Sequence, residues 1–296
     1  MRQALPKRRA STVSRHACVK LTGATENVHR MTDYPHRIVC LTEETTETLY
    51  LLGEEERIVG ISGFTVRPPR ARREKPKVSA FTSARIERIC ELEPDLVLGF
   101  SDLQAEIAAE LVRRGIDVHV FNQRDVAGIL RMIRTLGGMI GCGARAEVLC
   151  DELSAGLERI RASAARLRQR PRVYFEEWDE PLIVGSRWVS ELVQIAGGEE
   201  CFPQYAQHSL AKGRIIANDT EVIEAAPQMI LGSWCGKKFR PEIVRARAGW
   251  AGIPAVLDNE LHEIKSPIIL QPGPAALTDG IETIHRLIAD WCARRT

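Results

Sequence analysis

The chain has 296 residues, 44% of them hydrophobic and 27% charged, enough for two α/β lobes of ordinary size with a substantial core. Its net charge of +2 is uneven: residues 1–30 hold seven Lys or Arg against a single acid, Glu26, so the remainder is mildly acidic. An acidic body with no basic stripe excludes a nucleic-acid platform, and no stretch has the apolar continuity of a membrane span.

Residues 1–30 contain no apolar core of a secretory signal and read as a disordered basic extension, or as sequence upstream of a start at Met31. The eight cysteines, Cys18, Cys40, Cys90, Cys142, Cys150, Cys201, Cys235 and Cys292, form no CxxC pair. Scattered thiols without an export signal set the expectation of a reducing, cytoplasmic compartment.

From Arg37 the text alternates between β-rich and helical runs. RIVCL (37–41) leads into TEETTETLYLLG, a helix closed by Gly53, and RIVGIS (57–62) follows. A Pro/Arg loop, KVSAF (77–81), a short helix near 83–92 and LVLGF (96–100) come next. A helix over 102–114, DVHVF (117–121) and a helix running toward Gly137 complete the first lobe. Such alternation predicts a mostly parallel sheet covered on both faces.

After the glycine cluster 137–143, Leu149, Leu153, Leu157, Ile160, Ala164 and Leu167 recur in steps of four and three, one stripe of a long helix stopped at Pro171. Alternation then resumes with RVYFE, a helix near 188–196, MILGS (229–233), AVLDN (255–259) and a final helix over 277–292. The organisation is therefore α/β: an N-terminal lobe over 31–141, a spine helix over 142–170, and a C-terminal lobe over 171–296. The lobes echo each other, with IERICELEPDLVLGF (86–100) matched by TEVIEAAPQMILGSW (220–234).

Familiar catalytic signatures are missing. GGMIGCGARA lacks the Lys-Ser/Thr of a phosphate loop and reads as a hinge into the long helix. There is no GxSxG elbow, and the seven histidines make no HxxxH or HExxH pair for zinc. Glu176, Glu177 and Asp179 offer paired acids for acid–base work, or simply a solvated loop. RPPRARREK (67–75) reads as a solvated loop at a strand's carboxyl edge.

That edge is where open α/β sheets bind ligands. Phe64, Phe81, Phe100, Trp178 and Trp234 all follow or end predicted strands, in a chain with only 5% aromatic residues. Together they predict a flat-walled apolar cleft between the lobes. Trp188, beside a Gly-Ser turn, faces either the ligand or the core.

The order of these pieces carries a resemblance. RIVCLTEETTETLYLLG, the Pro-Pro loop, KVSAF, IERICELEPDLVLGF, the single long helix, ELVQIAGGE and SPIILQPGPAALTDGIETI together resemble the helix-linked substrate-binding proteins of ABC importers, above all the cobalamin-binding branch. The resemblance implies two Rossmann-like lobes clasping a vitamin B12, haem or siderophore ligand between aromatic rings, non-enzymatically, as a monomer with no cofactor or metal of its own. Phe64, Phe81 and Phe100 would form the N-lobe wall, with Trp178, Leu182, Trp188 and Trp234 on the C-lobe side. Glu87 and Glu221 would dock onto a permease. The chain departs from the B12-binding prototype at Phe81 and Phe100, where that protein has tryptophans, and at Ala196, where it has a cysteine. A cytoplasmic corrinoid- or haem-handling protein, and an enzyme using Glu176, Glu177 or Asp179, are the alternatives.

Overall fold

The computed structural model describes residues 34–295. The expected basic extension of residues 1–30, the alternative start at Met31 and Cys18 lie outside the described residues.

The first lobe begins with β1 (Ile38–Cys40), α1 (Glu43–Leu51), β2 (Ile58–Ser62), α2 (Ala71–Glu74), β3 (Lys77–Ala80) and β4 (Ser83–Ala84). It continues through α3 (Ile86–Glu91), β5 (Leu96–Phe100), α4 (Ala105–Arg113) and β6 (Val118–Phe121). The strands lie in the order β4-β3-β2-β1-β5-β6, parallel except for the β3–β4 pair. Central β1 is apolar at every position because both of its faces are covered.

Two helices leave this lobe. α5 (Val126–Met139) starts where the Asp125 carboxylate accepts from the Gly128 amide at 2.7 Å, a side-chain cap on an orphan donor. α6 (Gly143–Ala164) is the spine. The glycine cluster between them is explained by packing and turning: a Cβ on Gly137 would come within 2.3 Å of the Ala146 side chain, and Gly141 turns the chain at φ +77°.

The second lobe holds β7 (Arg172–Asp179), β8 (Leu182–Val184), α7 (Arg187–Ile195), β9 (Glu199–Glu200), α8 (Thr220–Ala225), β10 (Met229–Gly232) and α9 (Pro241–Arg245). α10 (Pro254–Leu257), β11 (Leu261–Glu263), α11 (Ser266–Ile269), a π-helical turn at Ala276–Gly280 and α12 (Ile281–Ala293) follow. The sheet order is β11-β10-β7-β8, with β9 also paired to β7.

One apolar core runs through the whole body. It joins Ile38 and Leu98 of the first sheet, Leu153 and Leu157 of the spine, Val173 and Leu231 of the second sheet, and Ile284 and Ile288 of α12. Each sheet has a second, smaller core on its other face. The two lobes are thus joined by a long helix that is itself core.

Two expectations about elements need correction. AVLDN (255–259) is helical at its start, because Pro254 takes the first position of α10 with its missing N–H cost-free there; the strand begins later, at Leu261. The spine ends at Ala164, six residues before Arg170, and residues 165–171 form the connection to β7. The seven described cysteines carry free thiols.

Candidate functional site

The carboxyl ends of the parallel strands carry the nominated aromatics, and the structure sorts them into three groups. Phe64, after β2, is 55% exposed. Phe81 and Phe100 are tied together by Gln104, a residue buried at the start of α4. Its side-chain N–H donates to the Phe81 carbonyl at 2.9 Å, and its oxygen accepts from the Phe100 amide at 2.9 Å. Phe100 is largely buried and Phe81 half-buried. Over the Phe100 ring sits the Arg124 guanidinium, 4.9 Å from the centroid. The same group donates to the Ser209 carbonyl of the second lobe at 3.3 Å, so Arg124 spans the two lobes. Burial pushes its pKa down, Asp102 raises it and the neighbouring Arg214 lowers it.

In the second lobe, Trp178 is half-buried at the end of β7 and donates its indole N–H to the Glu180 carbonyl. The Lys237 ammonium lies 4.2 Å from its ring centre and 5.0 Å from that of Trp234. Trp234 itself does not present a face: it is 1% exposed, stacked edge-on against Phe239, with its N–H given to Glu176. Leu182 and Trp188 need the same correction. Leu182 packs in the second lobe's outer core, and Trp188, in the first turn of α7, is buried in the main core with its N–H on the Ile269 carbonyl at 2.9 Å. An indole with its donor satisfied and its faces packed is structural. Phe64, Phe81 and Trp178 are therefore the nominated rings with accessible surface.

The acids flanking Trp178 are all committed. Glu176, with no exposed surface, takes both Nη atoms of Arg247 at 2.6 and 2.8 Å. Glu177 takes both Nη atoms of Arg214 at 2.6 and 2.9 Å, and Asp179 pairs with Lys237 at 2.5 Å. These pairs, with Arg124, Gln104 and Lys237, were invisible to a search for aromatics. Arg124 follows β6 at the same edge, so applying the strand-end rule to every residue type would have found it.

The nominated docking acids open equivalent short helices, α3 and α8. Glu87 is exposed and lies 3.5 Å from Arg114; Glu221 is half-buried and accepts from the Tyr205 hydroxyl at 2.8 Å. That bond is the main reason the Tyr205 pKa is raised.

Between the spine, α1 and α12 lies a cavity of about 270 Å³, floored by Leu153, Leu277 and Ile281 and rimmed by Arg67 and Glu282. None of the nominated residues lines it. Among the described residues, no three His, Cys, Asp or Glu side chains gather to hold a metal ion.

Comparison with known proteins agrees with this architecture. The family described as "Periplasmic binding protein" matches residues 38–267. The vitamin B12-binding protein of Vibrio parahaemolyticus is 22% identical over 253 residues, 83% of this chain and 87% of that protein. Among solved structures, the periplasmic vitamin B12 binding protein BtuF of Vibrio cholerae superposes with a TM-score of 0.70 at 21% identity, covering 88% of this chain and 98% of that one. A periplasmic heme binding protein from Pseudomonas aeruginosa gives 0.74 at 21% identity, covering 86% and 93%.

Proposed function

Since the chain belongs to the periplasmic binding protein family, we propose that it is the solute receptor of an ABC import system and binds a corrinoid, cobalamin or a precursor such as cobinamide, between its lobes. The observation that carries this reading is accessible ring surface at the strand ends of both lobes. Phe81, fixed to Phe100 by Gln104, is half-buried at a strand end of one lobe, and Trp178 at a strand end of the other. Flat faces of this kind suit a macrocycle. The metal would arrive with the ligand.

The role is binding and delivery rather than catalysis. Supporting this, Glu176, Glu177 and Asp179, the acids nominated for an enzymatic alternative, each serve as partner to a cation. Partners are the ligand and an ABC permease, engaged through Glu87 and Glu221. The expected cytoplasmic location finds no support in the family match, and we place the working compartment outside the cytoplasmic membrane. Among the described residues no helix is long and apolar enough to cross a membrane.

A haem reading stands second. The cations Arg124 and Lys237 at the cleft favour a ligand bearing carboxylates. Absorption spectra of the protein repurified after incubation with cyanocobalamin, hemin or a ferric siderophore separate the two. A retained corrinoid spectrum at one equivalent, released chemically unchanged, is expected. Retention of hemin or siderophore alone overturns the assignment, and a modified product points to an enzyme.

A further inference from the structure

Arg124 lies where the two lobes meet. It follows β6 in the first lobe, covers the Phe100 ring at the end of β5, and donates to the Ser209 carbonyl of the second lobe. Gln104 fixes that same strand end to Phe81, so the guanidinium sits beside the ring wall of the first lobe. The side chain is only 22% exposed, and burial above all lowers its pKa. Other enclosed guanidiniums are matched by acids: Arg67, Arg214 and Arg247 each hold a carboxylate oxygen at 2.8 Å or less. Arg124 is not so matched. Of the five N–H donors a guanidinium carries, one meets the Asn122 amide oxygen at 3.0 Å and one the Ser209 carbonyl at 3.3 Å. Among the described residues the rest find only the Asp102 carboxylate, 3.6 Å from Nη2 and itself largely in solvent. Arg214, in the same second-lobe segment as Ser209, adds a second surplus. It is 5% exposed, and its Nε–H is a buried donor with no partner.

We propose that Arg124 is a specificity-determining residue that binds an oxyanion of the ligand at the lobe junction, the phosphodiester in the nucleotide loop of a complete cobalamin, and so favours the finished vitamin over cobinamide, which lacks that group. A cation drawn out of water without a close counter-charge is costly, and a ligand anion that supplies the counter-charge recovers that cost on binding. The planar guanidinium fork matches two phosphate oxygens at once, and bonds between charged partners are the strong ones. Because Arg124 touches both lobes, an oxyanion held there is placed at their junction, at one edge of a macrocycle lying against Phe81. A haem propionate offers the same oxyanion chemistry, so the two sources are separated by the choice of ligands. This inference rests on the corrinoid reading above.

The test titrates the wild type, Arg124→Met and Arg124→Lys with cyanocobalamin, dicyanocobinamide and hemin, followed by absorbance and tryptophan fluorescence. The nucleotide base of cobalamin adds contacts of its own, so the change caused by each variant decides, not the wild-type preference. Arg124→Met should weaken cyanocobalamin by about tenfold, the loss of roughly one charge-assisted hydrogen bond, and leave dicyanocobinamide within about twofold of wild type. Arg124→Lys keeps the charge without the fork and should fall between the two for cyanocobalamin. A residue that merely held the lobes together would weaken both corrinoids alike. Equal losses for both corrinoids, or no loss for either, therefore overturn this inference alone. Loss of hemin binding by Arg124→Met with cyanocobalamin unaffected assigns the oxyanion to a propionate and overturns the phosphodiester. Failure of the wild type to bind either corrinoid overturns the inference together with the functional reading.

Discussion

Lys237 places its ammonium 4.2 Å from the centre of the Trp178 ring, and Asp179 holds it there at 2.5 Å. A flat ligand that stacks on this face of Trp178 must first move the cation. Trp178→Ala should therefore weaken corrinoid binding by on the order of 1–3 kcal/mol. Lys237→Ala should tighten it about two- to fivefold, because a cation–π contact of roughly 0.5–1 kcal/mol no longer competes. Calorimetric titration reads both. An unchanged Trp178→Ala affinity would remove that ring from the site.

Burial makes the Glu176–Arg247 pair a structural commitment. Removing the guanidinium by Arg247→Met leaves a fully buried carboxylate without its main partner, at a cost of about 3–5 kcal/mol. Replacing both residues by apolar ones of similar size should recover most of that loss. Urea denaturation midpoints distinguish these outcomes. A single variant that unfolds like wild type would return Glu176 to the pool of candidate catalytic acids.

Leu157, 5% exposed on the spine, packs within the core that both sheets share. Leu157→Asp should cost several kcal/mol, about 3 or more, by placing an unpaired charge there. A melting temperature equal to wild type would contradict the assignment of α6 as core.

Stability should depend on pH in a specified direction. Burial first, and then the charge of Glu43, push the Glu44 carboxyl from 4.5 up to about 8; burial likewise raises Glu200 to about 7. Their pKa values are higher folded than unfolded, so the folded chain binds the extra protons. The stabilisation is complete below about pH 4.5 and is lost as pH rises through about 8. Glu44→Gln should flatten the decline between these limits, measured as unfolding free energy against pH. A slope unchanged by that substitution would mean that Glu44 is not the group responsible.

Glu87 and Glu221 lie on α3 and α8. Reversing both to Lys should abolish import in a cell that depends on it and leave ligand affinity unchanged, since like charges would then face the permease arginines. Import at the wild-type rate would show that these acids do no docking.

Much of the fold could be read from local pattern. Strand–helix alternation and the Leu149–Leu153–Leu157 stripe each report a short-range periodicity, and both sheets and the spine followed from them. AVLDN misled because a short apolar run is compatible with either a strand or a helix, and only Pro254 decides between them. The site was legible by position but not by exposure. Trp178 and Trp234 occupy equivalent strand ends, yet one keeps accessible surface and the other is sealed beneath Lys237 and Phe239. Local pattern places Glu43 and Glu44 in a helix and says nothing of their burial. They are buried because distant parts of the chain, including Gly273 against Glu44, close over them.

The apolar core that passes through α6 makes the lobes inseparable as pieces of chain. A fragment ending before the spine would expose the inward faces of Ile38 and Leu98, and one beginning after it would strand Ile284 and Ile288 in water. Neither half is an independent module that could be borrowed or swapped. Heat should melt the whole body in one calorimetric peak, with no intermediate in which one lobe survives the other. Ligand entry would then be governed by the swing of side chains such as Arg124 and Lys237, with the backbone on either side staying still.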